Sequence, residues 1–209
     1  NMTTYQISTR DTYTYLIKEN ISLFKKLIDG SSKQSMPFDP NNTAAFYESR
    51  AKHLQTMALL GITAEHLLKL IILNRGFSIF EVDHVKKVKD KSEIKYTDRT
   101  ISFDKAASLF KNSNPNNYFK GMKVYEFNAH DIAFEYSYLG YKNIYPKTCI
   151  SLIQKIRNNY LHKADSHGEW NGIVWYVHNF IIWLAKKEFS SQFSRYKYIG
   201  NDEIKGLFL

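Results

Sequence analysis

The chain has 209 residues, 44% hydrophobic and 15% aromatic; this excludes a disordered or fibrous polymer and suits one packed core, since single cores keep growing to roughly 250 residues. Lysine and arginine total 29 against 20 acids, a formal charge of +9, which raises attraction to phosphate backbones and anionic surfaces without choosing between them. The single cysteine, Cys149, excludes an intramolecular disulfide, and with no charged-then-apolar leader in view a cytoplasmic protein of one domain, 1–209, is expected.

From about Tyr13 to Ile28, the residues Leu16, Leu23, Phe24, Leu27 and Ile28 fall at helical spacing, and Gly30-Ser31-Ser32 stops the helix. A loop with Pro37 and Pro40 follows, and Asn42 or Thr43 caps the next helix. That helix runs without proline from Ala44 to about Arg75, with an apolar stripe of Leu60, Ala64, Leu67, Leu68 and Ile71, a point of bending at Gly61 and Gly76 as its terminator. No apolar run reaches the ~20 residues of a bilayer span. The longest, Leu67 to Leu73, is interrupted by Lys69, so no membrane partner is expected.

The stretch Val82 to Arg99 is rich in lysine and weakly periodic, and reads as an exposed loop that leaves room for a helical turn or a hairpin. A third helix is expected from Phe103 to Phe110 with Ser102 as its cap, ending before the Asn/Pro run 112–117; residues 128–141 fit either a helix or an irregular insertion. After Pro146, a helix from Lys147 to His162 carries Cys149, Leu152, Ile153, Ile156 and Tyr160 on one face. Its antiparallel partner runs from Ile173 to Phe189 through Ile173, Val177, Phe180, Ile181 and Leu184. The fold class is therefore an all-α helical bundle with a lysine-rich loop insertion. Its core is about 44–189, its N-terminal helix 13–28 and its C-terminal tail 196–209, whose apolar end Leu207-Phe208-Leu209 suits docking.

The run Arg157-Asn158-Asn159-Tyr160-Leu161-His162 fits the pattern Arg-Asn-x-x-x-His. With 6 Arg, 16 Asn and 7 His in the chain, chance supplies about 0.015 such matches, so accident is a poor account of it. The pattern resembles the signature of HEPN domains, helical and usually dimeric proteins that include RNA-cutting toxins and phage-defence factors. The layout agrees: the motif ends an amphipathic helix, a long helix carrying Glu65-His66-Leu67-Leu68-Lys69 precedes it, and another apolar helix follows. The resemblance implies an HEPN-like bundle, a homodimer, RNA as substrate, and an antitoxin or inhibitor as partner. In one toxin branch a tyrosine stands two residues after the histidine; here that residue is Ala164, which argues against regulation by its modification.

Cutting RNA without a metal needs a base for the 2′-hydroxyl proton, an acid for the 5′ leaving oxygen, and positive charge on the crowded phosphorane. His162, with an ordinary pKa near ~6.5, suits proton exchange; Arg157 suits phosphate; Asn158 can orient either. At about 100° per residue, Asn158 and His162 lie one turn apart while Arg157 sits well around the cylinder. One helix converges them poorly, which favours a site where two copies of the motif meet across a two-fold axis. Lys155 and Lys163 flank the motif as candidate phosphate contacts. The competing readings are that Arg157 merely ends a basic helix, that His162 answers the helix dipole, or that the whole module dimerises and binds a partner or nucleotide without catalysis. His162, Asp165 and His167 lack the spacing of a zinc site, Cys149 lies on the core stripe, and Trp170, Trp175 and Trp183 suit core or interface, so neither metal nor cofactor is expected.

Overall fold

The computed structural model describes residues 4–29, 40–88, 91–111, 150, 153–155, 157–158 and 171–197. In chain order the elements are α1 (Thr4–Asp29), α2 (Thr43–Asn74), β1 (Phe80–Val88), β2 (Lys91–Thr100), α3 (Phe103–Lys111), α4 (Asn171–Glu188) and the short α5 (Ser190–Phe193). Residues 150, 153–155, 157 and 158 are helical as well.

The central element is α2. Asn42 caps it by accepting the Ala45 amide at 3.4 Å. Its far end closes as a Schellman motif: Phe77 N–H reaches Ile72 O, Gly76 N–H reaches Leu73 O at 2.9 Å, and Gly76 has φ of 82°. The expected stripe of Leu60, Ala64, Leu67, Leu68 and Ile71 is buried, and so is every residue from Leu67 to Leu73, as befits a helix enclosed on all sides. Contrary to the expectation from the interruption at Lys69, α2 does by length and composition contain a stretch apolar enough to cross a bilayer; 67% of that stretch is buried inside the protein.

Around α2 pack α1, α3 and α4. On α1 the seam is Ile17, Ile21 and Phe24, spaced i, i+4, i+7. Leu23, expected on that seam, lies about 100° from Phe24 and is 46% exposed. On α4 the expected Val177, Phe180, Ile181 and Leu184 are buried, whereas the side chain of Ile173 lies outside the described residues. α3 starts as expected, with Ser102 Oγ accepting the Lys105 amide at 3.2 Å, and lays Ala106 and Ala107 into the core. Arg75 at the end of α2 pairs with Glu188 at the end of α4 at 3.3 Å, and burial raises the pKa of that carboxyl. The residues 128–141, the tail from 198 and most of the expected helix 147–162 lie outside the described residues.

The fold is mostly helical but not all-α. Residues 82–88 and 91–99, expected as an exposed loop with room for a helical turn or a hairpin, belong to the antiparallel hairpin β1–β2, in register from His84↔Lys95 to Val88↔Lys91, with irregularities on either side of Val82. Its lysines hide the signal. Val82, Val85, Val88, Ile94 and Tyr96 favour strand, and Lys86 stands opposite Glu93, but a ribbon that is charged along both strands shows no in-out alternation. The base is closed by Ile101 N–H on Ile79 O at 2.7 Å, both residues being buried in the core.

His178 joins α1 to α4: it is 2% exposed and stacks on Phe24 with ring centroids 4.3 Å apart. Burial lowers its pKa to about 3. The folded protein thus refuses a proton that the unfolded chain accepts near pH ~6.5, so His178 favours folding above that pH and costs stability below it. Urea unfolding should lose up to about 1.4 kcal/mol per pH unit from this residue as pH falls from 6.5 toward 4. The His178→Phe variant, which keeps a ring on Phe24, should show a shallower loss; an unchanged slope would contradict this assignment.

Candidate active site

Glu65 and Lys69 stand one turn apart on α2, in its most apolar stretch. A lone ammonium or carboxylate there would be costly, so each needs a partner. Lys69, 5% exposed, places Nζ 2.7 Å from Glu65 Oε1 and donates to Thr100 Oγ1 at 3.0 Å, at the end of β2. The second Glu65 oxygen, Oε2, takes Arg157 NH2 at 3.1 Å. One carboxylate therefore bridges two cations, and the cluster holds a net charge of +1.

Arg157 reaches Glu65 because Gly61 lies one turn earlier on α2. A Cβ at Gly61 would come within 2.9 Å of Arg157 Cβ and 3.1 Å of its Cγ. The expected bending point is thus the place where the Arg157 backbone lies against α2. The guanidinium lies 5.5 Å from the Phe103 ring centroid, in cation–π contact. Gln154, one turn before Arg157, donates to Asp104 Oδ1 at 2.8 Å and anchors the segment to the first turn of α3. Beneath it Ile150 and Ile153 meet Leu67, Leu68, Phe180 and Leu184 in an apolar cleft.

Of the residues expected to carry chemistry, Arg157 and Asn158 are half-buried and Lys155 is exposed, while His162 and Lys163 lie outside the described residues. The structure therefore brings Arg157 to Glu65, Lys69, Thr100 and Phe103. It bears on neither the position of His162 nor the two-fold arrangement. Arg157 is turned inward, its side chain 24% exposed, with Nε buried and unpartnered among the described residues.

Beside the cluster on α2, His66 stacks on Tyr13 of α1 with centroids 5.1 Å apart, and its Nδ1 is buried without a partner among the described residues. Burial lowers its pKa, the Glu65 charge opposes this and the Lys69 charge adds to it, so neutral imidazole is favoured. No group of three or more His, Cys, Asp or Glu able to hold a metal occurs among the described residues. His162, Asp165 and His167 lie outside them.

Glu65, Lys69, Gly61 and Phe103 were not expected at the site. A signal existed: a charged i, i+4 pair inside an otherwise apolar helix must be paired with something, and a motif arginine was available.

No family model, curated protein or solved structure matches this chain.

Gly61→Ala should cost about 1–3 kcal/mol in overpacking and so destabilise the protein by up to about 2 kcal/mol net, because the new methyl meets a backbone-proximal part of Arg157 rather than a mobile tip. The net figure allows for the gain of about 1 kcal/mol expected for alanine over glycine in a helix. Chemical denaturation measures it, and a stabilised variant would contradict the close approach.

Proposed function

We propose that the chain is a metal-independent endoribonuclease of HEPN type, acting as a toxin or phage-defence effector. The observation that carries the reading is the anchoring of Arg157, the first residue of the Arg-Asn-x-x-x-His motif, on Glu65 and against Phe103. A guanidinium has five N–H donors, and its bond to Glu65 uses one of them. Those left on its terminal nitrogens can meet phosphate oxygens, beside a cluster whose net charge is +1.

The 2′-hydroxyl oxygen attacks the adjacent phosphorus and its proton passes to a base. The bond from phosphorus to the 5′ oxygen breaks and that oxygen takes a proton, leaving a 2′,3′-cyclic phosphate and a 5′-hydroxyl. His162 is assigned the proton transfers, Arg157 the charge on the phosphorane, and Asn158 the orientation of either. Lys155 and Lys163 are assigned to flanking phosphates. Because one helix converges Arg157 and His162 poorly, the active unit is a homodimer whose two motifs meet at the two-fold axis, and an antitoxin or inhibitor would act there.

One observation favours a second reading, a non-catalytic HEPN module that binds a nucleotide or partner. The Arg157 guanidinium is already engaged and mostly enclosed, as a structural strut would be.

Purified protein and its Arg157→Ala and His162→Ala variants, incubated with total RNA and tRNA in EDTA, separate the two. The ribonuclease reading expects wild-type fragments with cyclic-phosphate ends and a loss of about 10²–10⁴-fold in the His162→Ala variant, with melting temperature unchanged. Equal inactivity of all three proteins would move the assignment to the binding module.

A further inference from the structure

The N-terminal helix α1 is held to the bundle by a narrow seam. Among its described side chains Ile17, Ile21 and Phe24 are buried, while Tyr15, Glu19, Leu23 and Lys26 are exposed. Two ring contacts flank that seam, and each has a histidine as its partner. Tyr13 stacks on His66 of α2 with centroids 5.1 Å apart and the ring planes 26° from parallel. About three turns later, Phe24 stacks on His178 of α4 at 4.3 Å and 17°. His178 is 2% exposed, and Nδ1 of His66 is buried without a hydrogen-bond partner among the described residues.

The charges that act on His66 are those of Glu65 and Lys69, opposite in sign and on its own helix, whereas burial alone acts on His178. Among the described residues α1 brings no charged group to either ring, only the rings of Tyr13 and Phe24. An imidazolium in either place would be an enclosed ion with no counter-charge from the helix that covers it, and an aromatic face returns less than burial takes. Both rings are accordingly held neutral: burial lowers the pKa of His66 and takes that of His178 to about 3.

We propose that α1 is an acid-released clasp, a helix that lifts from α2 and α4 as a unit when His66 and His178 take up protons. Each imidazole refuses a proton while α1 covers it and accepts one near pH ~6.5 once α1 has lifted. The clasp is therefore closed above that pH, and each histidine weakens it by up to about tenfold per pH unit below. The unit that opens is α1 rather than the bundle, because segments with few buried apolar side chains open first. α1 buries three, whereas α2 buries every residue from Leu67 to Leu73 and α4 buries Val177, Phe180, Ile181, Ile182 and Leu184. Lifting α1 uncovers the Tyr13 side of His66, the neighbour of Glu65, so the clasp lies beside the cluster that holds Arg157. It does not depend on what that cluster does.

Hydrogen–deuterium exchange of the full chain, read by mass spectrometry at about pH 7.5 and about pH 5 and corrected for the intrinsic exchange rate, tests the clasp. Protection of α1 peptides should fall by at least about 30-fold, the effect of His178 alone over about 1.5 pH units below ~6.5, while peptides from Leu67–Leu73 and Val177–Ala185 stay protected. In a variant carrying His66→Phe and His178→Phe, which keeps a ring on Tyr13 and on Phe24, protection of α1 should no longer fall with pH. His53 of α2, whose pKa burial also lowers, stays in place there, so a fall that persists in the variant would assign the effect elsewhere and overturn the proposal. Wild type alone is decisive if the variant does not fold. Loss of α1 protection ahead of α2 and α4, in step with protonation of His66 and His178 in their imidazole NMR shifts, supports the clasp. Protection of α1 that ignores pH, or that is lost together with that of α2 and α4, contradicts it.

Discussion

The carboxylate of Glu65 is the constraint on which the rest of the described structure depends. It sits 17% exposed in the helix that α1, α3 and α4 pack against, and it answers two cations, Lys69 on its own helix and Arg157 from a later segment. Without it Lys69 and Arg157 would each lose their only ion-pair partner among the described residues. Through Lys69 the carboxylate holds the root of the hairpin, and through Arg157 it holds the segment that continues into the motif. Burying a paired charge is weak evidence of stabilisation, since apolar side chains of like volume commonly do as well. The arrangement makes better sense as a device that orients a guanidinium.

That orientation sets up a competition. A phosphate that recruits Arg157 must share it with Glu65, and the sharing costs least if the spare N–H groups, rather than the one on Glu65, face the substrate. Lys69 reduces the difficulty, because a carboxylate already satisfied by an ammonium withdraws less of the positive potential from the cleft. The unpartnered Nε of Arg157 and Nδ1 of the neighbouring His66 are the polar atoms left over beside it. The same features describe a strut, and only chemistry on RNA separates the two.

Much of the helical frame was legible in the residues. Asn42 and Gly76 mark the ends of α2, Ser102 marks the start of α3, and the stripes on α2 and α4 fall where a period of 3.6 puts them. The misses have physical causes. On α1 the expected Phe24 is buried, but the seam runs through Ile17 and Ile21 and leaves Leu23 exposed, because leucine-rich spacing on a partly exposed helix does not say which of two adjacent stripes faces inward. The hairpin stood only as an alternative to a loop because an apolar face is the usual strand signal, and this stretch sets lysines beside Val85 and Val88 in sequence. At the site, the motif pointed to Arg157 and Asn158, but its geometry was expected to come from a second copy. The partner that the structure supplies for Arg157 is Glu65, 92 positions earlier by number, a pairing that helical periodicity alone cannot choose.

The claim that Glu65 holds Arg157 in its working position is tested most directly by a double-mutant cycle with Glu65→Gln, Arg157→Gln and both together, followed by unfolding stability and by the rate of RNA cleavage. The account predicts a coupling energy of about 1–3 kcal/mol in stability. It also predicts that Glu65→Gln, which leaves Arg157 present, loses most of the cleavage rate without adding to the loss from Arg157→Gln. Additive effects in both measurements would contradict it, because the two residues would then act independently.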